Sequence, residues 1–185
     1  MIRLLKSGVE LYHGSFCEVR VPDLTKCRKY KDFGQGFYLT TDLEQAKRFA
    51  RLTQRKAIEN GTISNGGTMG VVSCFEYIEN VPIETLVYEH ADADWLHCVV
   101  AHRKSGYFVE LLGSLTKYDV IGGKIANDAT NATILTYISG IFGEIGTPNA
   151  DNICISLLIP ERLKDQYCFR TERALKNLAY RGVIS

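Results

Sequence analysis

Proline is scarce in this chain, 4 among 185 residues, and glycine is ordinary at 16. With 45% hydrophobic and 23% charged residues, that excludes a disordered or collagen-like polymer. No stretch approaches the roughly 20 uninterrupted apolar residues of a membrane helix, so no membrane partner is expected. Met1 to Gly8 has no long apolar core and no cleavage signal, which places the expected location in the cytoplasm. The six cysteines, at 17, 27, 74, 98, 154 and 168, make no CxxC pair and have no histidine at ligand spacing. No metal is therefore expected, and an even count does not by itself argue for disulfides. A P-loop and an HExxH helix are absent as well. Gly34-Gln35-Gly36 opens like a dinucleotide fingerprint, but the third glycine and the following helix are missing.

What is present is one domain's worth of chain, residues 1–185, with no repeat and no linker. The net charge of +1 hides an asymmetry. Residues 1–56 carry 12 Lys and Arg against 6 Asp and Glu, while the remainder carries 10 against 15. The basic part includes Lys26-Cys27-Arg28-Lys29-Tyr30-Lys31 and Arg48, Arg51, Arg55 and Lys56. Such a patch suits a polyanionic ligand or nucleic acid, or else forms a solvated helix face and loop.

Strands are expected at Val9 to Gly14, around Phe37 to Thr40, at Val71 to Tyr77, Tyr118 to Gly123, Gln166 to Arg170 and Ala179 to Ile184. Thr41-Asp42-Leu43-Glu44 reads as a capping box with Thr41 as cap. The helix it opens would bury Leu43, Ala46, Phe49, Ala50, Thr53 and Ala57 and stop at Asn60-Gly61. Further helices are expected from Ala93 to Arg103 and from Thr130 to Ile141, the latter with Ile134, Ile138 and Ile141 on one face. A capped helix start is expected at Thr171. Residues 151–164 stay open between helix and strand because Pro160 interrupts the apolar run. Strands and helices mix without regular βαβ alternation, which favours α+β. Cys74 and Cys168 read as buried packing residues, and His97 and His102 as surface or packing residues.

Two segments carry possible chemistry. His13 ends a strand with Gly14 behind it, offering a ring nitrogen and exposed backbone groups that can pair with a planar carboxamide. Tyr38 follows a Gly-rich loop and offers a flat face for a heteroaromatic ring. Together they would suit nicotinamide.

Leu11-Tyr12-His13-Gly14-Ser15, Pro22-Asp23-Leu24, Lys31 to Thr40 and the helix from Leu43 to Arg51 resemble the ADP-ribosyltransferase superfamily. Within it the chain is similar to the His-Tyr-Glu branch, which includes diphtheria toxin and the poly(ADP-ribose) polymerases. The nearest likeness is to a bacterial family of small, formerly uncharacterised proteins with that fold. Tyr118-Asp119 through Ala126-Asn127-Asp128 and Gln166 to Thr171 extend the likeness over residues 9 to 182. The resemblance implies a split, two-sheet core with peripheral helices and NAD as substrate. It implies that His13 bonds the nicotinamide-side ribose and that the Gly14 backbone clamps the carboxamide, with Ser15 beside it. Tyr38 would stack on the ring, and Gly36 would leave room for its approach.

The late-strand acid of the branch falls on Gln166 in this chain. An amide keeps hydrogen-bond geometry but cannot act as a base, and it stabilises an oxocarbenium-like centre less than a carboxylate does. Asp128 and Glu172 are the acids that could compensate, with loop or cap and helix N-terminal roles as their ordinary alternatives. The resemblance thus implies transfer of ADP-ribose to a macromolecular acceptor, protein or nucleic acid, in a bacterial or phage toxin or defence effector, with an antitoxin or immunity partner. NAD glycohydrolysis and a catalytically silent NAD-binding or interaction module are the alternatives.

Overall fold

A computed structural model describes residues 2, 4–64, 70–125, 128–159 and 163–184, with the side chains of 128 and 129 outside the description. The protein is α+β. Strands β1 (Val9–Ser15), β3 (Val71–Tyr77) and β7 (Leu178–Ile184) form an antiparallel sheet in the order β1-β3-β7. Strands β2 (Phe37–Leu39), β4 (Thr85–Val87), β5 (Val120–Lys124) and β6 (Asp165–Phe169) form a second sheet in the order β2-β6-β5-β4. Only its β4–β5 pair is parallel.

Strand alternation sorts the core into layers. Val9, Leu11, Phe75 and Tyr77 of the first sheet meet Phe37, Leu39, Val120, Tyr167 and Phe169 of the second. The other face of the first sheet, with Tyr12, Val72 and Cys74, receives helix α1 (Leu43–Glu59) through Ala46 and Ala50. The other face of the second sheet, with Tyr38, Ile121 and Cys168, receives α2 (Ala93–Arg103), α4 (Asp128–Ile138) and α5 (Pro148–Leu158) around Trp95, Val99, Ile134, Tyr137 and Cys154. The order is helix, sheet, sheet, helices. Two short helices, α3 (Val109–Ser114) and α6 (Glu172–Leu175), complete the fold.

Several local expectations shift. The cap of α1 is Asp42, not Thr41: the Asp42 carboxylate accepts from the Gln45 N–H at 2.9 Å, while the Asp42 N–H donates to Thr40 Oγ1. Asn60 and Gly61, the latter at φ +70°, end the helix as expected. Phe49 is exposed: α1 meets its sheet through Ala46 and Ala50, and residue 49 lies to the side of that line. Ile141 lies beyond the end of α4 and is 73% exposed. The ambiguous 151–164 region begins as α5, with Pro148 in its first turn, and turns off at left-handed Ile159, ahead of Pro160. Cys168 is buried and Cys74 half-buried. The glycine-rich loop expected after α1 lies partly outside the described residues.

Candidate functional site

The two sheets touch at their edges through one isolated bridge between β1 and β2. Tyr12 N–H donates to Thr40 O at 2.8 Å, and Thr40 N–H donates to Tyr12 O at 3.0 Å. Continued one step, an antiparallel ladder would pair Gly14 with Tyr38. It does not continue. The Tyr38 carbonyl instead accepts from His13 Nδ1 at 2.9 Å. Strand alternation turns the Gly14 N–H and C=O to the same edge as those of Tyr12, so both face the opening. No backbone bond outside the strand ladders ends on either group among the described residues. A side chain at 14 is excluded, since its Cβ would stand 1.9 Å from the Ala46 carbonyl oxygen of α1.

His13 is half-buried with its ring 4.4 Å from that of Phe37. A carbonyl can only accept, so Nδ1 carries the proton and Nε2 holds the lone pair. Burial pushes the imidazole pKa below its ordinary value, against the opposing bond to Tyr38, which keeps the ring neutral near pH 7. Nε2 makes no hydrogen bond among the described residues and is not sealed from the surface. Ser15 closes β1 opposite Val71, half-buried.

Tyr38 is pinned by its own loop. Its hydroxyl donates to Gly34 O at 2.8 Å and accepts from Phe33 N–H at 3.0 Å. Gly34 makes this turn at φ +81°, and Gly36 is required by space: a Cβ there would lie 2.4 Å from Cys168 Sγ. Burial raises the phenol pKa well above its ordinary value, so the ring is presented unionised.

Gln166 opens β6. Cys168 pairs with Tyr38, and residues two apart share a face, so Gln166 lies on the same face as the Tyr38 ring, roughly 7 Å along the strand from Cys168. Its Nε2 donates to Asp32 Oδ2 at 2.7 Å. Asp32 Oδ1 accepts from Arg103 Nε at 2.9 Å, and Arg103 Nη1 donates to Asn131 Oδ1 at 2.7 Å. The structure thus brings His13, Gly14, Gly36 and Tyr38 to one junction, with Gln166 two residues along β6 from Cys168, the strand partner of Tyr38.

The compensating acids stand differently. Glu172 is exposed in the first turn of α6, past the opposite end of β6 from Gln166. Asp128 opens α4, and its side chain lies outside the described residues. The acid bonded to Gln166 is Asp32, which lies in the Lys31 to Thr40 segment and has no role in the sequence pattern. A lone acid inside a basic run, beside the turn glycine, was the available signal. The basic groups also gather here. The ammonium of Lys31 has its pKa lowered by desolvation, opposed by Asp32 and reinforced by Arg28, Arg103 and Lys56. Those charges come from the loop before β2 and from the C-terminal ends of α1 and α2.

A second polar cluster lies in the helical layer. His97 Nε2 is 2.8 Å from Asp151 Oδ2, and the Asp151 carboxylate also takes the Tyr137 hydroxyl, which accepts from Gly146 N–H at 2.8 Å. The His97 ring stacks on Phe108 at 4.2 Å and lines an open cleft of about 320 Å³ with Tyr88, Asp94, Lys117 and Tyr118. The buried ring of His102 donates from Nδ1 to Cys98 O at 2.9 Å, which leaves Nε2 without a partner among the described residues.

No curated protein and no solved structure matches this chain. One family does, over residues 9–180, a span that includes His13, Asp32, Tyr38, Arg103 and Gln166. The chain belongs to DUF3990, a family described as a protein of unknown function.

Proposed function

We propose that this domain is an NAD-dependent ADP-ribosyltransferase, its two sheets forming the split core of that superfamily. The observation that carries this is the break in the β1–β2 ladder after the Tyr12–Thr40 bridge. A carboxamide has one acceptor and one donor on the same edge. The Gly14 N–H and C=O supply the complementary pair, and the pinned Tyr38 ring supplies the flat surface beside them. His13 Nε2 and Gln166 Oε1 then serve as acceptors for ribose hydroxyls, and the Arg28, Lys31 and Lys56 group draws the pyrophosphate.

In the reaction the bond between the ribose anomeric carbon and the nicotinamide nitrogen breaks, and nicotinamide leaves with the bonding pair. The cationic sugar is captured by a nucleophile of a macromolecular acceptor. Acceptors fixed on the ribose hydroxyls become stronger partners as positive charge develops on the sugar, which is where they lower the barrier.

The test is incubation with adenine-labelled NAD and cell extract, with nicotinamide release measured in parallel. Label on material sensitive to protease or nuclease, with stoichiometric nicotinamide, is the expected result and names the acceptor class. Nicotinamide release with free ADP-ribose alone makes the domain a glycohydrolase. Absence of both label and release overturns the enzymatic reading.

A further inference from the structure

We propose that Asp32 is a positioning residue for Gln166: its carboxylate fixes the amide so that Oε1 alone is left to accept from a ligand, which selects a hydroxyl donor at this position. The inference rests on the transferase reading for its ligand, but the geometry that motivates it does not.

An amide side chain can present either end. Here the choice is closed, because an ionised carboxylate only accepts hydrogen bonds. With Nε2 donating to Asp32 Oδ2 at 2.7 Å, the carbonyl end must point elsewhere. Gln166 is 5% exposed, yet Oε1 is not sealed from the surface and accepts no hydrogen bond among the described residues. It is an acceptor held ready for a donor.

Asp32 is itself held. Its side chain is 8% exposed and that of Arg103 14%, and the guanidinium is anchored in turn on Asn131 of α4. The cluster joins the loop before β2, the end of α2, the first turns of α4 and the start of β6. A buried ion pair of this kind is weak support for stability, since desolvation offsets most of the attraction. What it supplies is orientation at a fixed point in the fold.

The arrangement also accounts for the amide at 166. A glutamate there would set a carboxylate oxygen against Asp32 Oδ2 at hydrogen-bond distance, and two such groups cannot both stay ionised. Acid and amide form a complementary pair whose members could be exchanged. That exchange is the experiment.

Wild type, Asp32→Asn, Gln166→Glu and the double variant are compared for nicotinamide release, and the Gln166 side-chain amide is followed by NMR. In wild type the Gln166 amide protons should exchange slowly and resonate away from those of solvated glutamines, and Asp32→Asn should abolish both features. Asp32→Asn should lower kcat about tenfold while KM moves less than threefold, because the hydroxyl contact counts most in the transition state. Gln166→Glu should lose a similar factor. The double variant should recover most of it, since acid and amide are both present again with places exchanged.

Fast exchange of the wild-type Gln166 amide protons overturns the proposal, and that measurement needs no variant should Asp32→Asn fail to fold around an unpaired Arg103. Unchanged kcat in Asp32→Asn, or a double variant no better than the weaker single one, overturns it too. A wild type that neither releases nicotinamide nor binds NAD sinks the transferase reading instead, while the amide signals still decide whether Asp32 holds Gln166.

Discussion

His13 and His97 each have one ring nitrogen engaged and the ring partly exposed, but their partners differ in kind. His13 is tied to a backbone carbonyl at the edge where two sheets part. His97 is tied to a carboxylate that a tyrosine also grips, between two packed helices. A carbonyl fixes a tautomer and leaves a neutral acceptor, suited to receiving a ligand's hydroxyl. The Asp151 carboxylate instead draws α2, α4 and α5 together, so its first effect is on the helical layer. One histidine is arranged for a ligand and the other for the fold.

The strongest way to break that contrast is to remove the ligand-facing groups. His13→Ala and Tyr38→Ala should each lower nicotinamide release on the order of a hundredfold per folded molecule, with Tyr38→Ala also less stable because it removes the bonds to Gly34 and Phe33. Wild-type turnover in either variant would remove the junction from the mechanism. Next in size, Asp151→Asn and His97→Ala should cost about 2 kcal/mol in urea denaturation, while turnover per folded molecule holds. Lost turnover at unchanged stability would reverse the two roles.

Acid sharpens the contrast more gently. The folded-state pKa values of His13 and His102 are both lowered, by burial first, so the unfolded chain binds more protons as pH falls through about 6.5. Stability should be level above that pH and decline below it. His13→Gln should reduce the slope, and a profile flat to pH 5 would contradict the burial of both rings. The smallest effect belongs to the basic group. Lys29→Glu with Lys31→Glu should weaken NAD binding several-fold and flatten its dependence on salt. Binding by wild type that ignores salt would reduce these lysines to surface charge.

Legibility in the sequence followed length and locality. Helix α1 could be read from an amphipathic run with signals at both ends, and β3 from a seven-residue run carrying Val71, Val72, Phe75 and Tyr77. Strand β4 is three residues long, too short for a period to register, and α3 starts at left-handed Phe108 with no capping side chain. The cap of α1 slipped by one residue because Thr41 and Asp42 are both good caps, and only geometry chooses between them. At the junction and beside it, His13, Gly14, Tyr38 and Gln166 were named from short segments and the family likeness. The bond from Asp32 to Arg103 spans 71 positions and that from Asp32 to Gln166 spans 134. No local pattern encodes pairings at such distances, so the partner of Gln166 emerges only when the chain is folded.

Cys168, directly across from Tyr38, has a further consequence. Its thiol is fully enclosed and pushed up to about 12 by burial, as are those of Cys98 and Cys154. Thiols are the inert form toward alkylating reagents and oxidants. Cys17, exposed on the surface, is the residue such reagents meet first. The wall of the junction therefore carries a silent label site, enclosed by the helices packed on that face of the sheet. Alkylation at 168 is a clock for the lifting of that helical layer or for unfolding, read by mass without any knowledge of the ligand.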